Sequence, residues 1–201
     1  FHGIAMHDCW ASYWNYKGCQ HAVCCAHLLR ELTGVIENHP EQKWASAFID
    51  LLLEMKKVKD KAVESGKESL SYYHHHKFDK RYDELIKQAR EENPLPVVAE
   101  KKRGRKKKGK ILALVERLDN YKAAVCLFIH NFMVPFDNNQ AERDIRMIKV
   151  KTKVSGCFRS EDGARDYLKI MSYIGTARKQ GHNAYDAIKN AISGSPDFIF
   201  E

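Results

Sequence analysis

Trp44, Phe48, Leu51, Leu52, Met55 and Val58 recur at intervals of three and four residues within residues 41–65. That spacing places large apolar groups on one stripe of a helix, and such a stripe must be covered by other parts of the chain. A second helix is predicted over residues 70–92. It ends ahead of Pro94 and Pro96, because the residue before a proline is steered out of the helical region. Gly66 supplies a stop between the two. Two long helices joined by a short link predict an antiparallel pair whose stripes form core.

The rest of the chain reads as mostly helical, with one strand at the front. "GIAMHDCW" (3–10) is a short apolar run that reads as a buried strand with Asp8 at its carboxyl end. The alternative is an aspartate that begins a turn or caps the next helix. "CQHAVCCAHLLRELTGVIE" (19–37) carries Val23, Leu28, Leu32, Val35 and Ile36 at near-helical spacing. Residues 93–110 form a linker. Residues 111–131 resume helix in two pieces broken near Asp119 and Asn120, and "FMVPFD" is extended. Asp137 or Asn138 can cap a helix that carries Glu142 to about residue 151. A loop or short ribbon is expected over 153–164. A helix over 163–181 has Tyr167, Ile170, Met171 and Ile174 facing inward and stops at Gly181. A last helix is expected over 183–194, capped by Asn183.

The formal net charge is +8, which suggests a polyanionic partner. "KKRGRKKKGK" (101–110) holds eight positive charges and no negative one. Without it, basic and acidic residues balance, so the basicity is local. Such a run is either a solvated loop or a tether that tracks DNA phosphates; Arg103, Arg105, Lys106 and Lys107 are the candidate contacts. No run of about 18 apolar residues exists, so no membrane partner is expected. The six cysteines are not spaced like the framework of a small secreted domain and read as reduced, in the cytoplasm. The chain starts at Phe1 and not at a methionine, and shows no signal peptide; it is expected to be a piece of a longer protein.

Asp8 and Glu142 are candidates for chemistry that only the fold could bring together. Hard cations such as Mg²⁺ take oxygen ligands, commonly one or two carboxylates plus substrate phosphate. Glu142, Arg146, Lys149 and Lys153 step by four, three and four residues, so they share one helix side if the helix runs that far. One acid beside a ladder of bases suits a metal ligand next to a DNA backbone. The plainer alternative is an i,i+4 ion pair between Glu142 and Arg146.

"PFDNNQAERDIRMIKVKTKVSGCFRS" (135–160) resembles the C-terminal signature of the DDE transposases, in particular the IS sixty-six (TnpC-type) insertion-sequence family. "HDCWASYW" (7–14) resembles that family's second-aspartate segment, and "CCAHLLREL" (24–32) the helix after it. The resemblance implies an α/β fold tending to mostly α: part of an RNase H-like catalytic core interrupted by a large helical insertion. On that basis residues 1–40 would be the second half of the core and 41–92 the insertion. Residues 93–110 would be the basic linker, 111–181 the helices that include the Glu142 helix, and 182–201 a C-terminal helix and tail.

Carried over by residue, Asp8 matches the second acid of the catalytic, metal-binding triad and Glu142 the third. Asn138 and Asn139 match the asparagine pair before that glutamate, and Arg143 the arginine after it. Lys149 falls where related transposases place a DNA-contacting lysine. Cys24 and His27 match a C-x-x-H signature that follows the second aspartate. Arg146, Lys153 and Arg159 join the expected DNA contacts. Only seven residues precede Asp8 and none is acidic, so the first aspartate of the triad is absent and this piece alone is expected to be inactive.

The implied activity is Mg²⁺- or Mn²⁺-dependent strand cleavage and strand transfer for a bacterial insertion sequence, in the cytoplasm and at the nucleoid. The implied partners are element-end and target DNA, a homo-oligomer on that DNA, and helper proteins. The alternative is a catalytically inactive helical module for DNA binding or assembly. Two histidine-rich clusters compete for attention. Cys19, His21, Cys24, Cys25 and His27 raise structural zinc, but they lack a second clean ligand pair. In "YYHHHK" (72–77) consecutive histidines point different ways on a helix, so exposed polar residues are expected.

Overall fold

The computed structural model describes residues 2–94 and 109–196. The chain divides into two compact units, Phe1–Asn138 and Asn139–Glu201. Arg103, Arg105, Lys106 and Lys107 lie outside the described residues.

The first unit begins with β1 (Ile4–His7), a 3₁₀ helix (Ala11–Asn15) and β2 (Gln20–Val23). β1 and β2 pair in parallel, with Ile4 opposite Gln20 and His7 opposite Val23. This corrects the expectation of a single strand. The apolar spacing over residues 19–37 predicts helix there, whereas residues 20–23 are strand. Val23 stands five residues before Leu28, off the stripe that Leu28 and Leu32 share, and the open edge of β1 offers this short run a ladder of backbone hydrogen bonds. Among the described residues these two strands are the whole sheet, and the chain is mostly helical.

Helices α1 (Cys25–Asn38), α2 (Lys43–Glu64) and α3 (Tyr72–Glu92) follow. Three shorter helices complete the unit: α4 (Lys110–Asn120), α5 (Lys122–Val125) and α6 (Leu127–His130). The predicted break near Asp119 falls at Tyr121, and a second at Cys126 makes three pieces of the expected two. α2 and α3 form the antiparallel pair. Asn93, just past α3, donates to the Gln42 side-chain oxygen at the start of α2 at 2.6 Å. Farther along, Glu54 accepts from Lys77 at 2.6 Å and from Arg81 at 2.5 Å. Trp44, Phe48, Leu51, Leu52 and Met55 are fully buried, as the stripe requires. Each such side chain contributes about 1.5–3 kcal/mol of burial. Phe78 and Tyr82 face them from α3, and Leu114, Val115 and Leu118 close the core from α4.

Lys59, on the same stripe, is buried too. Its ammonium donates to the Val134 carbonyl at 2.5 Å and lies near the rings of Phe128 and Phe132. That bond fastens the stretch between α6 and the second unit to the middle of α2.

The second unit holds α7 (Asn139–Ser155), α8 (Glu161–Lys179) and α9 (Ala184–Ile192). α7 runs a turn beyond the expected end near residue 151, so Lys153 is helical and the loop shortens to residues 156–160. Ser160 caps α8 by accepting from Gly163 N–H, and Asn183 caps α9 by accepting from Tyr185 N–H at 2.8 Å. α8 meets α9 through Tyr173, Ala177 and Ala187, with the Tyr173 hydroxyl donating to the Ala187 carbonyl at 3.2 Å. Ile170, expected inward, is 57% exposed; its spacing puts it on the same face as Tyr173 and Ala177, but it lies nearer the start of α8, before the stretch that meets α9.

Candidate active site

Asp8 stands one residue past β1, with its side chain exposed. Its Oδ1 accepts the Trp10 N–H at 3.1 Å, so the aspartate also begins a turn, and the strand-end and turn readings hold together. The next residue, Cys9, has φ of 68°. A non-glycine residue in the left-handed region costs about 1–2 kcal/mol, and the strained bend lies directly beside the carboxylate.

The bend is held by its neighbours. His7 is 3% exposed. Its Nδ1 accepts the Cys9 N–H at 3.2 Å and its carbonyl accepts the Cys24 N–H at 2.8 Å. His7 Nε2 lies 3.0 Å from His21 Nδ1, and His21 Nε2 lies 2.9 Å from the Tyr16 carbonyl. Burial, then His21, holds the His7 pKa below 6.5 against the opposing pull of Asp8. Sequence reasoning missed this pair; the one signal available was that His7 adjoins Asp8.

Cys24 and Cys25 form the junction between β2 and α1, both fully buried. Cys24 Sγ accepts the Asn138 N–H at 3.2 Å, and Cys25 N–H donates to the Phe136 carbonyl at 3.0 Å. The segment leading to the Glu142 helix is therefore fastened, within the first unit, to the same junction that holds the His7 carbonyl. His27 sits in the first turn of α1, half-buried. Cys25 Sγ points instead toward the carbonyls of Val23 and Val125, while His21 serves His7 and Tyr16. The five clustered cysteines and histidines thus give no group of three ligand atoms of their own among the described residues.

The histidine run divides as expected in direction but not in exposure. His74 bonds Ser71, His75 stacks on His130 at 4.6 Å, and His76 stacks on Tyr72. His74 and His75 are half-buried, because α3 turns them toward its own cap and toward α6.

In the second unit Glu142 lies in the first turn of α7, half-exposed. Asn139 is the first residue of that helix. Arg146, Lys149 and Lys153 follow on the Glu142 side of α7. All three are exposed, as is Arg159 in the next loop, and none of the four side chains makes a hydrogen bond or ion pair among the described residues. Other charges of this unit are engaged: Arg143 donates to Gln140, Asp144 pairs with Lys179, and Lys151 lies 4.4 Å from the centre of the Tyr167 ring. The Lys179 ammonium, by its hydrogen bond, holds the Asp144 carboxyl below its usual range.

Asp8 and Glu142 each offer carboxylate oxygens of the hard type that Mg²⁺ and Mn²⁺ take. Asp8 does so from an exposed position with one oxygen already oriented by a backbone N–H, which fits a metal ligand. Among the described residues no helix is long and apolar enough to cross a membrane.

A family model described as "Transposase IS66 family" matches residues 1–166. No curated protein and no solved structure matches the chain.

Proposed function

The chain belongs to the Transposase IS66 family, and from that premise we propose that it carries part of a metal-dependent site for DNA strand cleavage and strand transfer. The family match is the observation that carries the reading. The fastening of Phe136 and Asn138 to the β2–α1 junction supports it, because one junction then serves both the Asp8 strand and the segment that precedes Glu142.

In this proposal Asp8 and Glu142 are the metal-binding carboxylates of a partial RNase H-like core, joined in the full-length protein by a first aspartate. Bound Mg²⁺ or Mn²⁺ supplies charge for the phosphate oxygens and lowers the pKa of the attacking water. Arg146, Lys149, Lys153 and Arg159 hold the DNA backbone through charge-assisted bonds to phosphate. Arg103, Arg105, Lys106 and Lys107 serve as a tether whose binding weakens steeply with salt. Arg143, Asn138, Asn139, Cys24 and His27 support the carboxylates. Water hydrolyses a phosphodiester at the element end, and the freed 3′-hydroxyl then attacks a phosphodiester of the target, joining the element to the target's 5′ side as the target's own 3′-oxygen leaves and takes up the proton. No covalent bond to the protein forms. A homo-oligomer and helper proteins on the DNA belong to the same proposal.

The test is strand cleavage of element-end DNA by the full-length transposase with Mg²⁺ or Mn²⁺, comparing wild type with Asp8→Asn and Glu142→Gln. Loss of cleavage with DNA binding kept is the expected result. Cleavage equal to wild type in either variant removes that carboxylate from the chemistry. If no protein cleaves but all bind DNA, the inactive DNA-binding module is the better reading.

A further inference from the structure

We propose that His7 and His21 are a positioning pair for Asp8: two imidazoles in one defined tautomer hold the left-handed turn at Cys9 and so fix the direction of the Asp8 carboxylate. This rests on the reading of Asp8 as a metal-binding residue.

The tautomers follow from the partners. The Cys9 N–H can only donate, so His7 Nδ1 is bare and accepts it at 3.2 Å. The proton of a neutral His7 is then on Nε2. At the other end the Tyr16 carbonyl can only accept, so His21 Nε2 carries a proton and donates it at 2.9 Å. A neutral His21 therefore has a bare Nδ1, and His7 Nε2–H donates to it at 3.0 Å. Every ring nitrogen has a partner of the right kind, with Cys19 Sγ a more distant second neighbour of His21 Nε2 at 4.0 Å, and the relay runs in one direction from Cys9 to Tyr16.

The rings cannot swing out of this arrangement without losing stacked neighbours. Tyr13 lies flat on His7, with centroids 4.9 Å apart and planes 22° apart, and Trp14 meets it edge-on at 4.8 Å. Trp14 also lies against His21 at 4.7 Å and stacks on Tyr121 at 3.7 Å. Turning the His7 ring over would bring carbon to both hydrogen-bond positions.

What the pair holds is specific. His7 and Cys9 flank Asp8 in the chain, and Cys9 is the one non-glycine residue with positive φ among the described residues. An apolar residue at position 7 could pack against Tyr13 and Trp14 as well as histidine does. It could not accept the Cys9 N–H. The imidazoles add directed bonds around the residue that carries the carboxylate, the kind of support that orients a metal ligand.

The experiment uses the full-length transposase and four readouts: histidine ¹⁵N NMR, Mn²⁺ binding by loss of the free-ion EPR signal, end-DNA binding and end-DNA cleavage. Both rings are expected as neutral Nε2–H tautomers in wild type. His21→Leu removes the acceptor for His7 and is expected to weaken Mn²⁺ binding and cleavage about 10-fold, with DNA affinity unchanged and the melting temperature lowered by the buried donor left without a partner. His21→Asn, whose Oδ1 can accept the His7 proton, is expected to restore most of both. An Nδ1–H tautomer on either ring overturns the pair whatever the variants do, even if His21→Leu fails to fold. So does a His21→Leu protein that binds Mn²⁺ and cleaves like wild type, or an asparagine variant no better than leucine. Asp8→Asn separates the two failures. If it behaves as wild type, the reading of Asp8 falls and this inference with it; if it is impaired while His21→Leu is not, the pair alone falls.

Discussion

Tyr82→Phe removes a single hydroxyl and nothing else. The Tyr82 hydroxyl donates to the Leu118 carbonyl at 2.7 Å, and both residues are fully buried. Leu118 lies in the last turn of α4, where helix carbonyls have no intrahelical donor. Burial pushes the phenol far above its ordinary 10, so it stays a donor at any working pH. The phenylalanine variant keeps the edge-on contact with Phe48 at 4.8 Å and the Lys122 ammonium 5.4 Å from the ring centre. The change therefore isolates one hydrogen bond. A net bond contributes about 1 kcal/mol, and a carbonyl left buried without a donor costs about 1–3 kcal/mol, so the expected loss is about 1–3 kcal/mol. Urea unfolding followed by tryptophan fluorescence measures it. Trp10, Trp14 and Trp44 all lie in the first unit, so the signal reports that unit. The midpoint should fall with the slope unchanged. A loss below about 0.5 kcal/mol, the range of ordinary surface changes, would refute the claim that this hydroxyl terminates α4.

Three further outcomes follow from particular side chains. Lys59→Ala loses both the stem packed on the core and the bond to Val134 and should cost about 2–4 kcal/mol, whereas Lys59→Met keeps the stem and should cost about 1 kcal/mol; a methionine variant as stable as wild type in the same urea assay would show that the ammonium–carbonyl bond contributes nothing. Burial, then His130, holds His75 below 6.5, with His74 acting the same way and Asp79 opposing. The unfolded chain therefore takes up the proton first, so stability is full above pH 6.5 and declines as pH falls through the folded pKa. His75→Gln should flatten that decline, and an unchanged urea-midpoint profile would refute it. Burial pushes the thiols of Cys9 to about 11 and Cys126 to about 12, and that of Cys25 well up, while Cys157 is exposed. Brief iodoacetamide treatment at pH 8 should therefore label Cys157 ahead of these three by mass spectrometry, and early labelling of Cys126 would contradict its burial.

The two long helices were legible because a stripe repeated over many residues leaves one period standing, and Pro94 marks an end by sterics alone. β2 was not, because four residues cannot choose between a strand and the first turn of a helix; the edge of β1 decides. Ile170 failed for a related reason. Its spacing places it on the Tyr173 and Ala177 face, but only the position of α9 says how far along α8 that face is covered. Lys59 was within reach: it lies four residues after Met55, on the stripe read as core, and a charge there is a signal. The His7–His21 relay left no such trace, since it depends on a strand pairing that sequence alone did not reveal. Of the candidate site, the carboxylate positions and the α7 ladder came from motif and period, and the bend at Cys9 came only with the structure.

The junction at Cys24 and Cys25 is where the first unit's chain both departs and returns. The chain leaves it into α1 and returns at Phe136, whose carbonyl accepts the Cys25 N–H at 3.0 Å, while the Asn138 N–H donates to Cys24 Sγ at 3.2 Å. Everything from α1 to α6 closes on that point. The Cys24 N–H donates to the His7 carbonyl at 2.8 Å, so the strand that carries Asp8 and the returning segment are held by adjacent residues. Changes in the outer α2–α3 surface, such as the Glu54 pairs with Lys77 and Arg81, should then alter stability with little effect at the junction. By contrast, any residue larger than cysteine at position 24 meets a fully buried position with a backbone N–H directed at it. Cys24→Ser keeps an acceptor at nearly the same size and should preserve the return path, whereas Cys24→Val removes the acceptor and should free the Asn138 amide. Hydrogen exchange at Asn138 separates them: protection kept in serine and lost in valine is the expected pattern, and equal protection in both would mean that packing, not the sulfur, brings the chain back.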